Sequence, residues 1–122
     1  MSEGKNKQSI IAGKAYGSAL EIIKLYIQLT GETKEYVLSK QLLRAGTSIG
    51  ANVNEAVSSE SKRDFVHKLG IALKEAIETT YWLNLLKDSN YINTNSFNNL
   101  NNSCSEIIRI LGSMMFCMGK KG

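Results

Sequence analysis

The apolar residues of this chain recur at steps of three and four over four long segments, and no proline interrupts any of them. Such steps place side chains on one face of an α-helix, and a helix interior tolerates proline worst of all residues. No strand-like alternation of apolar and polar residues lasts for more than a few positions. The pattern predicts four amphipathic helices, at about residues 10–30, 36–57, 62–88 and 95–118.

Four amphipathic helices with short links predict an all-α fold, an antiparallel up-down-up-down four-helix bundle. No link is long enough to divide the chain, so the bundle is expected to occupy residues 10–118 as one domain. Residues 1–9 are expected to form a flexible polar tail, and residues 119–122 a basic C-terminal tail.

The residues between the segments predict how the helices begin and end. Gly31 suits the left-handed position that closes a helix. Ser39 is a candidate N-cap of the second helix, and Ser61 opens a capping-box pattern before the third. Thr94 or Asn95 is expected to cap the fourth helix.

Composition and the chain ends predict a cytoplasmic protein. Hydrophobic residues make up 43% of the chain, too many for a disordered protein. Helical geometry places Cys104 and Cys117 on different faces, so we expect two thiols in a reducing compartment. The start, MSEGKNKQS, lacks the apolar core of a signal peptide, and no apolar run is long enough for a membrane span.

The second helix has a row of polar residues beside its apolar face. At ~100° per residue, Asn52 falls near the centre of the apolar arc, and a buried amide without a partner costs on the order of 1–3 kcal/mol. We predict that Asn52 hydrogen-bonds a carboxylate or backbone group of the third helix, with Glu75, Glu78 and Thr79 as candidates. The expected structural polar network consists of Gln41, Arg44, Ser48, Asn52, Glu55 and Glu78. The alternative is a ligand or catalytic site built from Asn52, Glu55 and Glu78.

The other side of the second helix is rich in small residues. Gly46, Gly50 and Ala51 leave a flat surface on which another backbone could approach closely. We predict that these three residues contact another copy of the chain. The alternative is an exposed face that tolerates small residues.

Few residues in the sequence have the spacing of catalytic or metal-binding sites. His67 is the only histidine, and the Asp64-x-x-His67 pair is a single copy of a pattern that di-iron bundles repeat on paired helices. There is no cysteine spacing for zinc and no glycine-rich phosphate loop. We therefore expect no enzyme, no cofactor and no metal. The alternative is an enzyme or metal protein that uses Asn52, Glu55, Asp64 or Glu78.

The net charge of +4 permits contact with nucleic acid. In an antiparallel bundle the first and fourth helices place both chain ends at one pole. The candidate nucleic-acid-binding residues are Lys62, Arg63, Lys68, Lys120 and Lys121. The alternative is that these charges serve solubility alone.

The polar row and the helix after it resemble a known family. The matching positions are Gln41-Leu42-x-Arg44-Ala45-x-x-Ser48-Ile49-x-x-Asn52-x-x-Glu55, followed by Phe65, Ala72-x-Lys74-Glu75-Ala76-x-Glu78-Thr79 and Trp82-Leu83. They are similar to the bacterial 23S rRNA intervening-sequence proteins over about residues 10–118. Ala56 departs from the family, since many members have glycine after the glutamate.

The resemblance implies an up-down bundle that commonly assembles as a cyclic homopentamer. It also implies relatedness to the accessory proteins of diversity-generating retroelements, which are basic pentamers that bind a reverse transcriptase and nucleic acid. We therefore expect a non-enzymatic homo-oligomer, a pentamer, whose basic face contacts RNA, DNA or an acidic protein. The alternative is a scaffolding oligomer with no nucleic-acid role.

Overall fold

The computed structural model describes the backbone of residues 3–121 and the side chains of residues 7–118. It contains four α-helices: α1 (Glu3–Gln28), α2 (Leu38–Val57), α3 (Lys62–Asp88) and α4 (Thr94–Lys121). A five-residue π-helical turn, Leu29–Thr33, extends α1. Residues 3–121 contain no β-strand. The predicted all-α four-helix fold is confirmed.

Each helix packs against the next one in the chain, and α4 returns beside α1. Short connections between neighbouring helices make consecutive helices antiparallel. α1 and α3 therefore lie at diagonal corners of the bundle, and α2 and α4 at the other two. The start of α1, the α2–α3 connection and the end of α4 meet at one pole, where Gln8, Ser61 and Met118 line a common groove.

Two apolar clusters, one above the other, fill the bundle. The cluster nearer the chain ends includes Ile49, Leu69 and Leu111, and the other includes Ile22 and Leu83. All five side chains are at least 99% buried. Because a fully buried Leu or Ile contributes about 1.5–3 kcal/mol, these clusters are the main source of the bundle's stability.

Small residues on α2 let α1 approach closely within the same chain. Gly46 is buried, and a Cβ at this position would overlap Ile22 of α1. A Cβ at Gly50 would lie 3.7 Å from Ala15 Cβ. The prediction that Gly46 contacts another copy is wrong, because α1 buries this position. Gly50 is partly exposed, and its predicted contact stays a prediction. Ala51 is exposed, and its predicted contact stays a prediction.

The terminal helices are longer than the sequence pattern indicated. α1 begins at Glu3, so the expected flexible tail over residues 1–9 is wrong for residues 3–9. This segment contains Glu, Lys and Gln, which have high helix propensity, and no proline. α4 continues to Lys121, so the predicted basic tail over residues 119–122 is helical at 119–121.

α1 ends differently from the prediction at Gly31. No glycine of the described chain has a positive φ, and Lys34 instead takes the left-handed conformation, with φ 58°. The hydroxyl groups of Thr30 and Thr33 donate to the carbonyl groups of Tyr26 and Leu29 at 2.9 and 2.6 Å. These bonds satisfy carbonyl groups at the helix end, so the helical turn continues past Gly31.

A buried carboxylate caps the start of α2. Glu35 accepts hydrogen bonds from the backbone N–H groups of Val37, Leu38 and Ser39 at 3.1, 2.8 and 2.7 Å. The prediction that Ser39 is the N-cap is wrong, since its hydroxyl donates to the Glu35 carbonyl at 2.7 Å. A carboxylate has two oxygens and a negative charge, so it satisfies several free N–H groups at a helix N-terminus at once.

Serine and asparagine cap the last two helices. Ser61 Oγ accepts from the Asp64 N–H at 3.0 Å, which confirms the cap predicted for α3. At α4, Asn93 Oδ1 accepts from the Ser96 N–H at 2.8 Å. Asn93 is therefore the cap, and Thr94 and Asn95 are not, because the helix begins one residue earlier than expected.

Candidate functional site

Arg44 connects α2 to two carboxylates of α3. Its Nη1 lies 3.3 Å from Glu75 Oε1, and its Nη2 forms a shorter ion pair with Glu78. Gln41 Oε1 accepts a hydrogen bond from Arg44 Nε at 3.5 Å. Trp82 Nε1 donates to Glu78 Oε2 at 3.0 Å. The structure thus brings together three predicted network residues, Gln41, Arg44 and Glu78.

This ion-pair cluster holds α2 and α3 in register but is not deeply buried. The Arg44 side chain is 48% exposed, and exposed ion pairs contribute about 0–1 kcal/mol each. Arg44 supplies one positive charge to two neighbouring carboxylates. Its removal would leave the negative charges of Glu75 and Glu78 next to each other without that positive charge. The predicted polar network did not include Trp82, although its i,i+4 spacing from Glu78 places both side chains on one face of the helix.

Asn52 does not cross to α3. Its amide nitrogen donates to the Ser48 carbonyl of its own helix at 2.9 Å. Ser48 in turn donates its hydroxyl to the Arg44 carbonyl at 2.6 Å. The predicted bond from Asn52 to α3 is wrong, because Ser and Asn side chains can be satisfied by a carbonyl one turn earlier in the same helix. Arg44 makes the connection between the helices instead.

Other carboxylates that cross between helices also pair with lysine. Lys68 of α3 lies 3.1 Å from Glu55 of α2, and the Lys68 side chain is only 26% exposed. Lys14 of α1 binds Glu106 of α4 at 2.8 Å. The Lys14 ammonium lowers the pKa of the Glu106 carboxyl. These pairs place Glu55 away from Glu78, so the structure does not assemble the alternative site of Asn52, Glu55 and Glu78.

The pole where the chain ends meet has exposed basic residues. Lys62 and Arg63 begin α3, and both are exposed. Neither forms an ion pair with any described side chain. Lys120 and Lys121 belong to α4 at this same pole, but their side chains lie outside the described residues. We call Lys62, Arg63 and the chain ends around them the basic pole.

The residues considered for metal or nucleophilic chemistry are dispersed. Among side chains 7–118, no group of three or more His, Cys, Asp or Glu residues could hold a metal ion. The Asp64 backbone is part of the α3 cap, and His67 is exposed. Burial raises the pKa of the Cys104 thiol to about 11 despite the Ser18 hydroxyl beside it, so this cysteine is protonated at neutral pH.

The described helices contain no apolar window long enough to cross a membrane. Fold and surface together define a class of protein. It is an antiparallel four-helix bundle whose interhelical carboxylates pair with arginine and lysine, with exposed cations at one pole that pair with no described carboxylate. Within that class, the chain belongs to the 23S rRNA-intervening sequence protein family, whose model matches residues 7–113.

A solved structure supports the same assignment. It is the crystal structure of a protein with unknown function from the S23 ribosomal protein family of Bacteroides thetaiotaomicron VPI-5482. The two chains are 47% identical, with a TM-score of 0.88, over 89% of this chain and 97% of the other. No curated protein matches the sequence.

Proposed function

We propose that this chain is a non-enzymatic homo-oligomer that binds RNA or DNA through its basic pole. The observation that carries the proposal is the convergence of the chain ends with Lys62 and Arg63, two exposed cations that pair with no described carboxylate. Unpaired cations are available to phosphate groups, whereas Lys14 and Lys68 already bind carboxylates.

Phosphate binding requires clustered positive charge and little else. Each cation that neutralises a phosphate releases condensed counterions, so affinity falls as salt concentration rises. Such contacts carry no sequence information by themselves. The proposal therefore specifies a salt-sensitive interaction with weak sequence preference.

Assembly would multiply the charge at this pole. In a ring whose axis is parallel to the helices, the basic poles of all copies point to the same side. Several weak sites on one side bind a long polyanion more tightly than one site does, because later contacts form within a single complex. The pentamer that the family resemblance implies is part of this proposal.

The proposal assigns no chemical step to the protein. The interhelical carboxylates pair with cations, and the buried Cys104 thiol stays protonated. It also places the protein in the cytoplasm, where a reducing environment would keep Cys104 and the exposed Cys117 as thiols.

The test compares two charge reversals that are matched in position. Arg63→Glu changes the first turn of α3 at the basic pole, and Lys40→Glu changes the first turn of α2 at the opposite end. A glutamate in a first helical turn is compatible with the helix dipole, so both variants are expected to fold.

Binding is measured by fluorescence anisotropy with labelled single-stranded RNA and duplex DNA. We expect Arg63→Glu to weaken binding about tenfold, or ~1.4 kcal/mol, and Lys40→Glu to weaken it less than twofold. Equal losses in both variants, or no binding by the wild type, would overturn the proposal. Capture of an acidic protein by a wild type that binds neither nucleic acid would point to the scaffolding alternative.

A further inference from the structure

Helix α1 is apolar on its outer face as well as on its buried face. Its exposed side has five large apolar side chains, which are between 38% and 68% exposed: Ile10, Tyr16, Leu20, Ile23 and Ile27. Gly13 and Gly17 lie among them and are also exposed. A helix that is apolar all round is normally covered on every side. We call these seven residues the α1 outer face.

A second, smaller surface with apolar residues lies on α3, at the diagonal corner of the bundle. Its exposed apolar members are Ile77 and Tyr81, at 52% and 57%, and the partly exposed Val66 and Gly70 continue the surface toward the start of the helix. The exposed Lys74 lies beside them on the same side of α3. We call Val66, Gly70, Ile77 and Tyr81 the α3 outer face. The exposed side of α2, by contrast, has polar residues such as Lys40, Arg44 and Asn54.

We propose that the α1 outer face of one copy packs against the α3 outer face of the next, so that identical contacts repeat around a closed ring. The inference rests on the proposed homo-oligomer and adds which two surfaces meet. Because the two faces lie at opposite corners of one chain, each copy presents both halves of the contact. Such head-to-tail contacts form a ring when the rotation between copies closes and an open filament when it does not. A contact between two α1 faces would leave the α3 face of every copy exposed.

The two faces lie at the same height along the bundle. Gly46 of α2 packs on Ile22 of α1, and Arg44, half a helical turn away on α2, binds Glu78 of α3. Positions 22 and 78 therefore lie at nearly the same point along the bundle axis. Rotation about an axis parallel to the helices does not change the position of a residue along that axis. Residues at the same position along the axis therefore meet between neighbouring copies.

In this register one tyrosine of the α1 outer face lies opposite a glycine of the α3 outer face, and Leu20 lies opposite the aliphatic stem of Lys74. Ile23 of α1 and Ile77 of α3 are exposed and lie next to positions 22 and 78. One turn later, α1 has a large side chain at Ile27 and α3 has one at Tyr81. Two turns before them lie Tyr16 on α1 and Gly70 on α3. A tyrosine ring opposite a glycine lets the two helices approach closely, as ridges pack into grooves.

The size of the α1 outer face fits a stable contact. At roughly 150–200 Å² for each large side chain, half-exposed members offer on the order of 400 Å² of apolar surface. A standard interface buries about 800 Å² per partner, of which somewhat more than half is apolar. Lys14 and Lys24, which flank this face, both pair with carboxylates, so the face lacks the free cations of a membrane-surface helix.

The test places one charge on each face and then mixes the variants. Tyr16→Glu disables the α1 outer face and Ile77→Glu disables the α3 outer face. Asn102→Glu, on the exposed side of α4, is the control. Masses are measured by light scattering and native mass spectrometry, and folding by far-UV circular dichroism. We expect the wild type and Asn102→Glu to be oligomers and each of the other variants to be a single chain.

The mixture distinguishes this arrangement from a symmetric one. Tyr16→Glu retains an α3 face and Ile77→Glu retains an α1 face, so together they should form a one-to-one heterodimer. An oligomeric Ile77→Glu with a monomeric Tyr16→Glu would indicate contacts between two α1 faces and overturn the inference. Oligomers that survive both substitutions, or that dissociate with Asn102→Glu, would also overturn it.

Two further outcomes keep the inference separate from the proposed function. A monomeric wild type would refute the homo-oligomer and this inference together, whereas a wild-type ring that binds no nucleic acid would refute only the binding proposal. If either glutamate variant is unfolded, Tyr16→Ala and Ile77→Ala replace them. Each should then raise the dissociation constant at least about tenfold, and unchanged constants would contradict the proposed contact.

Discussion

Gly46 of α2 lies directly against Ile22 of α1, and a side chain at position 46 would overlap it. The nearest atom is Ile22 Cδ1, and Cγ2 would lie 3.1 Å away. Rotation about χ2 can move Cδ1 within the core, but β-branching keeps Cγ2 in place, and the side chain is fully buried. We expect Gly46→Ala to lower the free energy of unfolding by about 1 kcal/mol, because overpacking of about 1–3 kcal/mol exceeds the gain in helix propensity.

Gly50, one turn later on α2, is the matched control. A Cβ there would lie 3.7 Å from Ala15 Cβ, an ordinary van der Waals contact. Gly50→Ala should therefore raise stability by up to about 1 kcal/mol through helix propensity. Urea denaturation of both variants measures the difference, and equal stabilities would contradict the close α1–α2 approach at Gly46.

The ion pair between Arg44 and Glu78 should show measurable coupling. A double-mutant cycle with Arg44→Gln and Glu78→Gln isolates the pair from the rest of the cluster. We expect a coupling free energy of about 0.5–1 kcal/mol at low salt, since the pair is partly exposed, and a smaller value at high salt. A coupling that is near zero at low salt would show that the pair does not hold α2 against α3.

The Glu35 cap should make the bundle sensitive to acid. Burial alone would raise the pKa of the Glu35 carboxyl, but the N–H groups of Leu38, Ser39 and Val37 stabilise its charged form and lower the pKa overall. A lowered pKa stabilises the fold above the unfolded value of about 4.3, and that stabilisation is lost as pH falls through the folded pKa.

Glu35→Gln removes this charge while it keeps the shape of the side chain. We expect the variant to be less stable than the wild type by about 1–2 kcal/mol at pH 7, with the gap closing below about pH 4. Thermal unfolding across this pH range measures the gap, and Glu32→Gln, at an exposed position, is the control. A difference in stability between the wild type and Glu35→Gln that persists at the lowest pH would contradict a charged Glu35 cap.

The two cysteines should differ strongly in reactivity. Cys104 is buried with a pKa raised to about 11, whereas Cys117 is exposed. A thiol reagent at pH 8 should therefore modify Cys117 rapidly and Cys104 only after denaturation, because the thiolate is the reactive form. A Cys117→Ser variant that still reacts rapidly in the native state would contradict the burial of Cys104.

Apolar spacing predicted the four helices, and the capping-box pattern predicted the Ser61 cap, because both features depend on neighbouring residues in the chain. Apolar spacing did not predict the start of α1, because the polar residues there do not form a periodic apolar pattern. Their helix propensity favours a helix nonetheless. The sequence pattern also misplaced the close contact of Gly46. Small residues indicate that a backbone approaches closely, but the sequence does not say whether that backbone belongs to the same chain.

The polar row of α2 shows that the sequence pattern also does not identify the hydrogen-bond partner of a side chain. The helical position of Asn52 near the apolar arc was a sound basis for expecting a hydrogen bond. Its partner, however, is the Ser48 carbonyl one turn away. Long side chains on partly exposed faces cross between helices more readily, as Arg44 does. Which residue reaches across depends on side-chain length and helix spacing, which periodicity alone does not provide.

The salt dependence of nucleic-acid binding tests the central claim most directly. The logarithm of the association constant for single-stranded RNA is plotted against the logarithm of salt concentration for the wild type, Arg63→Glu and Lys40→Glu. We predict a steep negative slope for the wild type and Lys40→Glu, and for Arg63→Glu a slope that is shallower by about 0.7 for each phosphate that the variant no longer neutralises. A flat wild-type line, or the same slope in all three proteins, would contradict a function of the basic pole in binding nucleic acid.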